Sequence, residues 1–117
     1  MESSQAREYA TKLGDSLKPI FEKYGIRQAI LFGSHARGDD TRRSDVDLLL
    51  VQETSERFLD RYAGILAEIT SRVQGRDVDV LIYTPAELAQ MADRPFVATA
   101  LREGVILYEC TQEPASG

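Results

Sequence analysis

Two aspartates have the side chains and the spacing needed to bind a divalent metal ion. Asp45 and Asp47 lie two residues apart in the segment 45–51, whose other residues are apolar. Alternate side chains of a strand leave the same face, so the two carboxylates would be roughly 7 Å apart at the backbone and could converge on one cation. Mg²⁺ prefers oxygen ligands and keeps positions for water and substrate phosphates. The spacing therefore predicts a Mg²⁺ site on this segment.

A third carboxylate is expected from the segment 77–83, which alternates like another strand. If the two strands are adjacent, Asp79 approaches the first pair. The repulsion among three carboxylates would be relieved by two divalent ions, as in two-metal phosphoryl transfer. Asp79 could then also accept a proton from an attacking hydroxyl. Asp77 shares this face, and the pattern alone does not choose between the two.

A turn suited to binding phosphate begins at Gly33 and Ser34, directly after an apolar run. Backbone N–H groups of such a turn, together with the Ser34 hydroxyl, can donate to phosphate oxygens. Arg37, Arg42 and Arg43 add positive charge that suits a triphosphate. A solvated turn would explain Arg42 and Arg43 equally well. Phosphate binding is assigned to Gly33, Ser34, Arg37 and Arg43.

The elements that must position these residues follow from the apolar periodicity. Residues 6–24 have the three- and four-residue steps of a helix with one buried face, which Pro19 is expected to kink or split. A second helix is predicted from Ser55 to about Gln74. Its predicted inner face consists of Phe58, Tyr62, Leu66, Ile69 and Val73.

Short apolar runs predict four strands, at residues 27–32, 45–51, 77–83 and 105–108. Thr84 and Glu87 form a capping box that begins helical turns continuing through Leu101. The order of elements predicts an α+β (mixed α/β) fold, in which helices cover a mixed β-sheet of about four strands.

Length and composition bound the class of protein. The 117 residues suit one domain, predicted over residues 1–110, with a disordered tail at residues 111–117. A net charge of -5 argues against binding long nucleic acid, which requires a basic surface. Long apolar runs and a signal-peptide pattern are both missing, so a cytoplasmic protein is expected. Cys110, the only cysteine, is expected to be an inert and partly buried thiol.

The pattern Gly33-Ser34, ten residues, then Asp45-x-Asp47 resembles the signature of the polymerase-β-type nucleotidyltransferase superfamily. Further stretches are similar to the minimal nucleotidyltransferase family, and the resemblance runs from about residue 27 to residue 108. These stretches are Ala36-Arg37-Gly38, Ser44 to Leu48, Gly75-Arg76-x-Val78-Asp79 and Arg102-Glu103-Gly104-Val105-x-Leu107-Tyr108.

The resemblance implies a role for each matching residue. Ser34 would bind the β and γ phosphates of ATP, Asp45 and Asp47 would ligate two Mg²⁺ ions, and Asp79 would be the third ligand and the base. Antitoxins of this family are paired with a helical HEPN toxin and transfer AMP to one of its tyrosines. The resemblance therefore implies an ATP-dependent protein adenylyltransferase whose acceptor lies on a partner protein.

Two other functions stay open from the sequence. One is nucleotidyl transfer to a small molecule such as an aminoglycoside, with a partner chain supplying the acceptor pocket. The other is a binding module that neutralises a toxin by contact without turnover. Three crowded carboxylates disfavour the binding module, because binding alone does not require them.

Overall fold

A computed structural model describes residues 4–33, 46–73 and 77–110. The strands are β1 (Ile26–Phe32), β2 (Val46–Gln52), β3 (Val78–Tyr83) and β4 (Val105–Glu109). The helices are α1 (Ser4–Lys23), a 3-10 helix (Phe58–Tyr62), α2 (Ile65–Arg72), α3 (Pro85–Met91) and α4 (Pro95–Glu103). The strands form one sheet in the order β3-β2-β1-β4, in which β2 and β3 are parallel and the other pairs are antiparallel. This mixed sheet with helices confirms the predicted fold class.

The main core lies on the face of the sheet that α1 and α2 cover. Leu17 and Phe21 of α1 and Ile69 of α2 are fully buried against strand residues such as Leu48 and Leu50. The opposite face carries a smaller core of Ile30, Phe32, Leu49 and Ala100. Because alternate strand residues face opposite sides, Asp47 shares the second face with Leu49.

Of the kink or split expected at Pro19, the split does not occur. α1 is continuous over 20 residues, and Pro19 lies on its exposed side. An internal proline costs a helix about 3 kcal/mol or more. Leu17, Ile20 and Phe21 are at most 2% exposed, and each buried side chain of this kind contributes about 1.5–3 kcal/mol. Burial on both sides of the proline therefore outweighs its cost.

The predicted helix from Ser55 to Gln74 is two shorter helices. Gly64 separates the 3-10 helix from α2 with a φ of 81°, and a Cβ there would lie 2.7 Å from the hydroxyl of Tyr24. The break changes the buried face, because Ile65, Ile69 and Val73 are buried whereas Tyr62 and Leu66 are only half-buried. The side chain of Phe58 lies outside the described part of the chain.

The capping box at Thr84 is confirmed, but the helical stretch after it is divided. The Glu87 N–H donates to Thr84 Oγ1 at 3.1 Å, and the Thr84 N–H donates to Glu87 Oε1 at 3.0 Å. α3 ends at Met91 and α4 begins at Pro95. Proline disfavours helical backbone in the residue before it, and Arg94 is extended, with a ψ of 139°.

Two further predictions concern the chain ends and the cysteine. Cys110 is exposed, so the prediction of a partly buried thiol was wrong. The bond that places it, from its N–H to the Arg27 carbonyl at 2.8 Å, continues the β1–β4 pairing and leaves the side chain outside the core. The predicted tail, residues 111–117, lies outside the described residues.

None of the helices described for residues 4–33, 46–73 and 77–110 has the length and apolar character of a membrane span.

Candidate active site

Neighbouring strands bring together three of the residues that the sequence singled out. Asp47 of β2 lies opposite Asp79 of β3 in parallel register and opposite Phe32 of β1 in antiparallel register. Gly33 follows Phe32 directly. Adjacent strands are about 4.8 Å apart, and directly opposed residues share a face. The two carboxylates and the start of the Gly33 turn are therefore neighbours on one face of the sheet.

Gly33 has no side chain at the point where the chain passes Asp47. Its φ is 80°, in the left-handed region that only glycine adopts readily. A Cβ built at Gly33 would collide with Asp47 Oδ2. The backbone therefore turns directly beside the carboxylate, and a phosphate bound at this turn would lie close to a cation held by Asp47.

A cavity of about 610 Å³ opens beside these residues. Binding sites for small molecules have volumes of about 300–1,000 Å³. Asp47 is half-buried in the cavity wall, whereas Asp79 is exposed. The lining residues are Phe32, Gly33, Asp47, Asp79, Val80, Leu81, Phe96, Thr99, Ala100 and Glu103. The lining combines apolar side chains with three carboxylates, those of Asp47, Asp79 and Glu103.

Helix α4 supplies a wall of the cavity that the sequence analysis did not predict. Phe96, Thr99 and Glu103 follow one another at steps of three and four residues, which places them on one side of a helix. Val97 and Ala100 of α4 are buried, and Ala100 is part of the smaller core. The spacing was a usable signal, but the direction in which α4 faces depends on how it packs on the sheet.

Four of the predicted site residues lie outside the described part of the chain: Ser34, Arg37, Arg43 and Asp45. Within residues 4–33, 46–73 and 77–110, no three potential ligand residues come together as a metal site. The described part holds two of the three predicted ligands, Asp47 and Asp79. Opposed carboxylates on adjacent strands fit the oxygen ligands that Mg²⁺ prefers.

The structure distinguishes Asp79 from Asp77. Asp79 lies within β3, opposite Asp47, and lines the cavity. Asp77 precedes β3, and its carbonyl accepts the Val46 N–H at 2.9 Å. Asp79 is thus the better placed of the two to share a cation with Asp47.

Strand β3 is fixed by two adjacent residues of the 3-10 helix. Arg61, only 7% exposed, donates to both carboxylate oxygens of Glu87, at 2.6 and 3.0 Å, and to the Ile82 carbonyl at 3.2 Å. Tyr62 Oη accepts the Ile82 N–H at 3.0 Å. The hydrogen-bonded guanidinium lowers the pKa of Glu87 to about 2. These bonds hold the strand that carries Asp79.

The fold is that of a nucleotidyltransferase. The model of the family "Polymerase beta, Nucleotidyltransferase" matches residues 15–113, so the chain belongs to this family. A crystal structure of a toxin-antitoxin with AMP-PNP superposes with a TM-score of 0.63 at 19% identity, covering 85% of this chain and 75% of that one. A protein from Sulfolobus solfataricus described as a nucleotidyltransferase superposes with a TM-score of 0.52 at 22% identity, covering 92% and 90%.

Sequence relatives agree with this family. Two proteins of Methanocaldococcus jannaschii named as protein adenylyltransferases are 37% and 30% identical to the chain, over 65 and 103 residues. The matches cover 56% and 83% of this chain and 68% and 69% of the relatives. The predicted enzyme class, a nucleotidyltransferase, is confirmed.

Proposed function

We propose that the protein transfers AMP from ATP to a hydroxyl group of a partner protein, as the antitoxin of a toxin–antitoxin pair. The similar M. jannaschii proteins are named as protein adenylyltransferases, and one protein of the same fold is a toxin-antitoxin with AMP-PNP. The observation that carries the proposal is the register of the sheet. Asp47 and Asp79 are directly opposed beside Gly33 and line a cavity large enough for a nucleotide.

The residues divide the work of the reaction. Gly33 and Ser34 begin the turn that binds the triphosphate, and Arg37 and Arg43 add positive charge to it. Asp47 and Asp79, with Asp45, would hold two Mg²⁺ ions. When bound, Mg²⁺ supplies positive charge that stabilises the transition state and the leaving pyrophosphate.

Asp79 is the proposed base. It is exposed at the cavity, where an acceptor from outside can reach it. The acceptor oxygen forms a bond to the α-phosphorus, the bond from that phosphorus to the pyrophosphate oxygen breaks, and the hydroxyl proton passes to the Asp79 carboxylate. Asp47 on the neighbouring strand orients the phosphate side of the same site.

The proposed acceptor is a tyrosine of a helical HEPN toxin. A phenol has a pKa near 10, so a carboxylate and a nearby cation remove its proton more easily than that of an aliphatic alcohol. A toxin that cuts RNA needs a basic surface to bind RNA phosphates. The net charge of -5 on this chain favours its encounter with such a partner. An added AMP would place negative charge where the toxin must approach RNA phosphates, which explains neutralisation.

The test is transfer of label from α-labelled ATP, with Mg²⁺, to the protein encoded by the neighbouring gene. Wild type, Asp79→Asn and Asp77→Asn are compared, and mass spectrometry locates the adduct. We expect one or more AMP units on a tyrosine of the partner, loss of labelling with Asp79→Asn and labelling close to wild type with Asp77→Asn. Both variants remove one exposed negative charge from the same end of β3, so they are a matched pair.

Each other outcome changes a defined part of the proposal. If Asp77→Asn abolishes labelling and Asp79→Asn does not, the role of the base belongs to Asp77. Label on an aminoglycoside instead of a protein would replace the acceptor class. A stable complex with the toxin and no label on any molecule would replace catalysis by binding.

A further inference from the structure

An aromatic side chain is exposed at the cavity although its ring is held in a defined contact. Phe96, near the start of α4, is 55% exposed. Its ring meets that of Phe32 edge-on, with centroids 5.5 Å apart and planes at 84°. Edge-to-face contacts of this kind stabilise one orientation of a ring. Phe96 therefore presents a positioned apolar surface to a ligand in the cavity.

The position of Phe96 associates it with the nucleotide rather than with the acceptor. Its contact residue, Phe32, directly precedes Gly33, where the phosphate-binding turn begins. Asp79, the proposed base for the acceptor hydroxyl, lies two strands away on β3, with β2 between. Phe96 is thus on the side of the cavity where the proposed reaction would bind ATP.

We propose that Phe96 is the stacking platform for the nucleobase of the bound nucleotide. This inference rests on the proposed function, since it requires that the cavity bind ATP. Other apolar residues that line the cavity, which include Leu81 and Ala100, would exclude water from the base. Every base has a π-face, so stacking contributes affinity for any nucleotide, whereas the turn at Gly33 recognises only phosphate. The two halves of ATP are therefore bound by different parts of the site.

Calorimetric titration of ATP and of inorganic tripolyphosphate, each with Mg²⁺ and without any acceptor, separates the two parts. Phe96→Leu keeps an apolar side chain but removes the aromatic face, and Phe96→Tyr restores it. Leu101→Ala is the control, because Leu101 is 38% exposed on a different flank of α4. The melting temperature of each variant is measured alongside.

We expect Phe96→Leu to weaken ATP binding by about 5- to 150-fold, the range for stacking one base on an aromatic side chain. Its tripolyphosphate binding should stay at the wild-type value. Phe96→Tyr and Leu101→Ala should bind ATP like the wild type.

Three results would overturn the inference. If Phe96→Leu binds ATP as tightly as the wild type, the base is not stacked on Phe96. If ATP and tripolyphosphate are weakened equally, Phe96 shapes the phosphate turn instead. If the wild type binds tripolyphosphate but binds ATP no more tightly, the base has no binding site here. Failure of the wild type to bind either ligand would mean that the proposed function itself is wrong.

Discussion

At the scale of single residues, the site depends on a side chain that is missing. The Asp47 carboxylate occupies the space that a methyl group at residue 33 would need. The φ of 80° adds a second requirement for glycine. Gly25 has a similar φ of 70°, but nothing lies within 4 Å of a Cβ built there. Substitutions at the two glycines can therefore distinguish the cost of backbone strain, which both incur, from the collision with Asp47, which only Gly33 incurs.

Gly33→Ala should impair AMP transfer and destabilise the protein more than Gly25→Ala. A left-handed backbone costs an alanine roughly 1–2 kcal/mol, which both variants incur. Only Gly33→Ala also displaces the Asp47 carboxylate. Urea unfolding and labelled transfer measure the two effects. Equal destabilisation with unimpaired transfer in Gly33→Ala would show that the turn moves away from Asp47 without consequence.

The sequence predicted that Asp79 would approach Asp47 from an adjacent strand, and the pairing of β2 with β3 confirms this arrangement. Asp47 and Asp79 lie in strongly apolar strands, and the glycine-serine turn follows another, so their approach to one another needed only correct strand pairing. Phe96 and Thr99 were missed because they reach the cavity from α4, across a gap. Periodicity places them on one side of a helix but does not say which neighbour that side meets.

At the scale of elements, the largest disagreement with the sequence is the segment between β2 and β3. A single helix was predicted from its apolar period, but Gly64 turns the chain beside Tyr24, which is 40 residues earlier. Arg61 then docks the 3-10 helix through Glu87, which is 26 residues later. Contacts between residues so distant in sequence leave no mark on local periodicity, whereas the capping box at Thr84, which is local, was predicted correctly.

The Arg61–Glu87 ion pair should make stability depend on pH in acid. The Glu87 pKa falls from 4.5 to about 2 on folding. A lowered pKa stabilises the folded state above the unfolded value, and this contribution is lost as the pH falls from about 4.5 through about 2. Glu87→Gln should cost about 1–3 kcal/mol at neutral pH, with solvent screening because the Glu87 side chain is 38% exposed.

Urea unfolding between pH 7 and pH 2 measures this dependence. The difference in free energy of unfolding between wild type and Glu87→Gln should be constant above about pH 5 and should shrink towards pH 2. The control is the same substitution in an Arg61→Gln background, where the pH dependence should be small. A difference that persists at pH 2 would show that Glu87 stabilises the fold through its packing and not through its charge.

At the scale of the whole molecule, the two faces of the sheet are unequally covered. The face under α1 and α2 has the larger core, which includes five buried residues of α1: Ala10, Leu13, Leu17, Ile20 and Phe21. On the other face, α4 buries only Val97 and Ala100, and none of the described α3 side chains is buried. The cavity lies on this second face. The face with the candidate site is thus the one with less apolar burial, while the first face supports the sheet.

Hydrogen exchange should reveal this inequality. Amides in the interior of α4 should exchange through openings of lower free energy than those in the interior of α1, because less buried surface opposes them. ATP with Mg²⁺ should slow exchange in α4 and leave α1 unchanged, since a ligand between α4 and the sheet stabilises only closed states. Equal protection of both helices, or slowing confined to α1, would contradict this division.

The contacts of Ile82 also determine where another protein could extend the sheet. β3 and β4 are its two edge strands, and an edge strand offers unpaired backbone groups to strands of other molecules. At Ile82 both groups are already bonded, the carbonyl by Arg61 and the amide by Tyr62. A foreign strand aligned along β3 would have to displace a buried guanidinium to pair there. Aggregation or partner binding by strand addition is therefore disfavoured along β3, the edge strand that carries Asp79.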